Sequence, residues 1–207
     1  MRKILALVLA ILLVCSAAGC RAGQSRVKAL ADGITERYSS CGKITATAKV
    51  QFSTGSSRYD FTLRFSGVPD DAVIDVLEPE SVAGLQVKVA DGGTALITEG
   101  AELSTGTVTD LNLSPVAALP LVIGKWQSGY IVQSSLEKMD GAEALRIRQN
   151  ADENTFLDTW FDTETFLPLS TEIVYNGTVV ISIEYENVVL EGGATQNNTG
   201  ETDSEVK

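Results

Sequence analysis

Few side chains in this sequence have the types and spacing that covalent or acid–base chemistry needs. Asp70-Asp71 and Asp152-Glu153 are adjacent acidic pairs. A glycosidase needs two carboxyl groups facing each other across a cleft, and a calcium loop needs oxygen ligands at several alternating positions. Neighbouring acids in short polar stretches meet neither requirement, so both pairs read as solvated turn residues. The chain has no histidine. Ser-His-Asp triads, Cys-His dyads and His-ligated metals are thereby excluded. Asp91-Gly92-Gly93 reads as a hairpin turn rather than a phosphate loop, because no helical pattern follows it. No enzyme activity, no metal and no cofactor are expected.

The chemistry that remains is cysteine chemistry. Arg2 and Lys3 precede twelve uncharged apolar residues, Ile4 to Cys15. That run suits the core of a signal peptide and falls short of the ~20 residues needed to span a bilayer. Ser16-Ala17-Ala18-Gly19-Cys20 follows and resembles a bacterial lipobox, with Ala17 where leucine is commoner. On this reading residues 1–19 are removed and Cys20 carries a covalent diacylglyceryl group. Two acyl chains suffice for stable anchoring where one does not. An ordinary signal peptide cut nearby, or an uncleaved anchor, are the alternatives. Residues 20–26 are then the lipidated cysteine and a tether, and Arg21 leaves no aspartate-type retention signal. With Cys15 removed and Cys20 acylated, Cys41 is the last cysteine, and no intrachain disulfide can form. Cys41 is expected to be a buried or free thiol, or else an intermolecular bridge. The oligomeric expectation is a monomer or a redox-dependent dimer.

Charge narrows the partners. The full chain carries −11, and loss of Arg2 and Lys3 leaves 14 basic against 27 acidic residues, or −13. Such a balance opposes binding to nucleic acid and peripheral binding to anionic lipid. Residues 191–207 are rich in Gly, Asn, Thr, Glu and Asp without an apolar run, and are expected to be a disordered acidic tail. Residues 27–190 are enough for one domain with its own core.

The elements within that domain are mostly strands. Val27, Leu30, Ala31, Ile34 and Tyr38 recur at helical spacing and predict an amphipathic helix over 24–39, weakened by Gly33. Period-two alternation then predicts strands at 44–53, 58–66, 72–77, 85–90, 94–98 and 101–104. Ser114-Pro115 is a helix start, a capping hydroxyl followed by proline at the first helical position. Val116 to Trp126 is apolar nearly all round, as in a buried helix, and Pro120 is expected to kink or split it. Strands follow at 129–138, 142–149, 155–161, 168–175 and 178–190, with Asn176-Gly177 as a type I′ turn. In the last strand Val179, Ile181, Ile183, Tyr185 and Val189 are expected on one face.

The run from Thr155 to Leu190 also carries a resemblance. Trp160, Phe161, Asp162, Leu167, Pro168, Glu172, Asn176, Gly177, Ile183, Tyr185, Asn187 and Val188 occur in an order that resembles the C-terminal half of LolA/LolB-like lipoprotein carriers, in particular the GerS-like lipoproteins of spore-forming bacteria. The resemblance implies a mainly β (α+β) fold: a strongly curved antiparallel sheet, half-open as a barrel, with helices on its concave face. It further implies non-enzymatic work on the extracytoplasmic side of the cell membrane. One reading is a lipid-anchored binding module or scaffold for an envelope protein, such as a cell-wall amidase in sporulation or germination. The alternative is lipid or lipoprotein binding and transfer through the concave face. The candidate apolar face is Tyr59, Phe61, Leu63 and Phe65 on the sheet with Leu119, Val122 and Trp126 on the second helix.

Overall fold

The computed structural model describes residues 23–90, 93–98, 101–107 and 114–192, with no side chains for 98 and 101–107. Two helices and eleven strands fill that span. Helix α1 covers residues 23–39. Strands β1 (Lys43–Thr54), β2 (Ser57–Val68), β3 (Asp71–Glu78), β4 (Gln86–Ala90), β5 (Gly93–Thr98) and β6 (Ala101–Thr107) follow. Helix α2 (Pro115–Ser128) leads into β7 (Ile131–Met139), β8 (Ala142–Asn150), β9 (Thr155–Asp162), β10 (Pro168–Tyr175) and β11 (Thr178–Glu191). Every sheet contact is antiparallel, in the order β6-β5-β4-β3-β2-β1-β11-β10-β9-β8-β7. Among the described residues β6 and β7 do not pair, so the curved sheet stays open, and the expected half-barrel with helices on one face is what the chain forms.

Alternation decides which face is inside. Ile44, Ala46, Ala48 and Val50 of β1, Leu63 and Phe65 of β2, and Ile181 and Ile183 of β11 are buried on the concave side. Lys49, Gln51, Arg64 and Glu184 alternate with them on the outer side. Both helices pack against the concave face. Ala31, Ile34 and Tyr38 of α1 are buried, with Val27 and Leu30 partly so. Gly33 has a packing reason: a side chain there would meet the Phe166 ring at 3.1 Å, so the missing methyl admits that ring. The helix is described from residue 23, inside the stretch expected as a tether, and Arg26 is ion-paired with Glu143.

Two expectations need correction. Pro120 does not split α2, which runs unbroken from Pro115 to Ser128. Its missing N–H removes one helical hydrogen bond, and the helix survives because Ala118, Leu119, Pro120, Val122, Ile123 and Trp126 are all buried. The cap is as expected: Ser114 accepts from the Ala117 N–H at 3.1 Å. The alternation of β11 is broken twice. An extra residue near Val180 against β10, and another near Asn187 against β1, shift the register. Each bulge puts the residues on its far side from Ile181 and Ile183 out of phase with them, on the other face. Val179 and Val189 are therefore exposed, at 39% and 51%, while Leu190 packs on the core. Asn187 takes φ 52°, which asparagine tolerates better than a branched residue. The Asn176-Gly177 turn has φ 49° and 78°, as a type I′ turn requires.

Candidate binding surface

The concave face is lined by the residues that alternation singled out, and α2 lies on them. Leu63, Phe65, Leu119 and Val122 are fully buried, and Trp126 is 4% exposed. Trp126 is the centre of an aromatic cluster. Its ring meets Tyr38 at 5.3 Å, Phe161 at 5.6 Å and Tyr185 at 5.2 Å, edge to face in each case. Such contacts add about 0.5–1.5 kcal/mol apiece beyond burial. The polar atoms of the cluster are satisfied in a chain. Trp126 Nε1 donates to Thr159 Oγ1 at 3.2 Å, Thr159 and Thr171 share a bond at 2.9 Å, and Tyr185 donates to Thr171 at 3.0 Å. Burial pushes the Tyr185 and Tyr38 hydroxyls far above their ordinary range, so both stay protonated donors.

The cover stops part-way up the sheet. Phe61 is half-buried, and Tyr59, two residues nearer the β1–β2 turn, is 49% exposed and stacks on Phe52 at 6.3 Å. The seven candidate residues thus divide into a filled floor and an open lip made of Tyr59 and Phe61. The apolar hollow left at the start of α2, between Ile74, Val87, Val89, Val116 and Pro120, measures about 150 Å³.

The outer face carries an arrangement the sequence reading missed. Asp158 is 1% exposed on the side expected to be wet. Arg148 grips its carboxylate through two nitrogens, at 2.8 and 2.6 Å, and Arg146 adds a third bond at 2.8 Å. Arg148 lies over Phe156 and Arg146 over Trp160. Trp160 Nε1 donates to Glu137 at 2.9 Å. Burial raises the Asp158 carboxyl, and the bonds from Arg148 and then Arg146 outweigh it, holding the group below its usual range. The Trp160 hydrogen bond does the same for Glu137. These residues are 8–23 apart in sequence, and only the β7–β8–β9 register brings them together. The guanidiniums are committed to the carboxylates, so this ladder is a clamp across three strands. Beside it, a groove of about 690 Å³ crosses the outer face, lined by Lys49, Asp60, Thr62, Glu78, Glu172 and Glu184 among others. Its bases are taken: Lys49 binds Glu186 at 2.6 Å and Arg58 binds Asp60 at 3.3 Å.

The remaining expected site residues separate. Cys41 is 7% exposed, its thiol directed at the carbonyls of Lys43 (3.1 Å) and Glu191 (3.4 Å). The signal peptide, Cys20 and residues 193–207 lie outside the described residues. Asp152 closes a turn, accepting from Asn154 N and Thr155 Oγ1. Among the described residues no group of acids and cysteines has the arrangement of a metal site.

No protein-family model matches the sequence, and no curated protein matches it. Among solved structures the fold is similar to an uncharacterized conserved protein from Thermus thermophilus, at 10% identity over 77% of this chain and 85% of that one, with a TM-score of 0.47. It is also similar to a LolA superfamily protein from Nitrosomonas europaea (8% identity, 77% and 93%, TM-score 0.42). A third is the lipoprotein LppX of Mycobacterium tuberculosis (11% identity, 77% and 94%, TM-score 0.38).

Proposed function

We propose that this protein is a lipid-anchored, non-enzymatic binding module on the extracytoplasmic side of the cell membrane, and that its ligand is another envelope protein. The observation that carries this reading is the concave face, filled by the two helices among the described residues. Ligand pockets run to ~300–1,000 Å³, and the apolar hollow beside α2 measures about 150 Å³. A face plugged by its own helix binds through what it leaves exposed: the Tyr59–Phe61 lip, with Phe52 beneath it. Exposed tyrosines over an apolar bed suit a protein interface, where Tyr is enriched at energetic centres. The resemblance of residues 155–190 to GerS-like lipoproteins suggests a cell-wall amidase of sporulation or germination as the class of partner. Cys20 holds the module at the membrane, with no cofactor beyond its covalent lipid, and buried Cys41 leaves the domain monomeric.

The second reading is lipid or lipoprotein binding. It is favoured by the same hollow, because displacement of α2 would enlarge it. The test is photo-crosslinking in the native host, with a photoreactive residue at position 59. A discrete protein adduct that is lost when the residue is moved to exposed position 64 supports the first reading. Adducts to lipid alone overturn it. Cys20→Ala is expected to move the protein out of the membrane fraction, or to leave it unprocessed.

A further inference from the structure

The start of α1 fixes which side of the domain meets the bilayer. Cys20 and Gly23 are three residues apart, and an extended chain covers roughly 10 Å over that distance. A lipid on Cys20 therefore enters the membrane within roughly 10 Å of the first residue of α1. That first turn lies beside the β7–β8 edge: Gly23, Gln24, Val27 and Lys28 share a shallow hollow with Ser134, Ser135 and Leu136 of β7, and Arg26 pairs with Glu143 of β8. β7 is the last strand of the sheet. Just before it stands the most exposed large apolar side chain among the described residues, Tyr130 at 82%, and two residues further on, within the strand, Val132 is 49% exposed. Val132 faces out because it is the extra residue of a bulge, standing between Ile131 and Gln133 while their partners Gln149 and Arg148 are consecutive. Bulges are a common means of keeping an edge strand from pairing with another strand.

We propose that the β7 edge is the membrane-facing side of the protein, with Tyr130 and Val132 seated in the lipid interface. This rests on the acylation of Cys20. Tyrosine suits the interface because its ring is apolar and its hydroxyl stays wet. At ~3.3 Å per residue, Tyr130 is roughly 13 Å along the strand from Ser134, close enough to the start of α1 for one membrane surface to take both the anchor and the tyrosine. The charge also fits. The whole chain is strongly acidic, yet β7 holds one acid and one base, Glu137 and Lys138, and in the first turns of α1 Arg26 and Lys28 balance Glu143 and Asp32. An anionic surface is repelled by most of the molecule and not by this edge. Seating this edge also turns the Tyr59 lip, six strands away, toward the cell wall.

The test uses the mature lipidated chain in vesicles of phosphatidylcholine and phosphatidylglycerol. An environment-sensitive fluorophore is attached at Tyr130→Cys or at Tyr59→Cys, each with Cys41→Ser, and shallow nitroxide lipids are the quencher. Flotation with the vesicles is expected for both. Quenching is expected to be several-fold stronger at position 130. Without substitution at Cys41, the lipidated Tyr130→Ser/Val132→Ser double variant is expected to leave vesicles several-fold faster. Flotation with equal, weak quenching at both positions overturns the orientation and leaves the anchor standing. Failure of the processed chain to float overturns the anchor, and the orientation with it.

Discussion

The indole Nε1 of Trp126 donates to Thr159 Oγ1 at 3.2 Å, joining helix α2 to the floor of the sheet through a buried polar bond. That bond makes the helix a fixed plug. An apolar helix on an apolar floor has no unique register, and a single buried donor with a single acceptor supplies one, since an unmade bond there costs about 1–3 kcal/mol. Trp126→Phe should keep most of the packing and lower stability by about 1–2 kcal/mol. Trp126→Ala should cost about 3–5 kcal/mol. Chemical denaturation of the three proteins measures both, and a Trp126→Phe variant as stable as wild type would show that the bond contributes nothing.

The floor and the lip should respond differently to truncation. Leu63→Ala removes a fully buried side chain and should cost about 2–5 kcal/mol. Tyr59→Ala, at a half-exposed position, should cost about 1 kcal/mol or less in stability while weakening partner binding. Thermal melts, set beside crosslinking yield, separate the two. A Tyr59→Ala melt as low as that of Leu63→Ala would mean the lip is core.

Asp158 should make stability depend on pH in a defined direction. Its folded carboxyl titrates below the ordinary range because of Arg148 and Arg146, and an unfolded aspartate titrates near ~3.9. The stabilisation is therefore complete above that value and is lost as pH falls through the folded pKa. Asp158→Asn should cost about 3 kcal/mol at pH 7, at the low end for a broken buried pair because the guanidiniums are partly exposed. The gap between wild type and variant should shrink as pH drops below about 4. Urea titrations at pH 7 and pH 3 check this, and a gap of constant size would contradict it.

Cys41 should react slowly. A thiol 7% exposed and bonded to two carbonyls is shielded from disulfide reagents until the chain opens. Labelling should be slow in the native protein and fast in denaturant, with monomer on non-reducing gels. A disulfide dimer that disappears in Cys41→Ser would overturn this.

The sequence carried the fold further than the site, for reasons visible in particular residues. Period-two runs such as Ala46-Ala48-Val50 and Leu63-Phe65 report directly which face is buried, and Asn176-Gly177 and Ser114-Pro115 mark their turn and cap by local chemistry. The bulges at Val180 and Asn187 were not legible, because an extra residue leaves the local pattern intact and shows only against a partner strand. Asp158 was hidden for the same reason. Alternation assigns it to the wet face, and its burial depends on Arg146 and Arg148 arriving from the next strand. The exposure of Tyr59 was not legible either, because how much of an apolar strand face the helices cover is a tertiary quantity.

The central claim, that the concave face is filled by the chain's own helices, is tested most directly by native mass spectrometry of the mature lipidated protein, isolated gently without lipid extraction. The account predicts the mass of the acylated polypeptide with no further lipid, and a melting temperature unchanged by added phospholipid or fatty acid. One additional acyl lipid retained per chain, together with a lipid-dependent rise in melting temperature that is abolished in Phe61→Ala, would contradict it and favour a lipid-binding role.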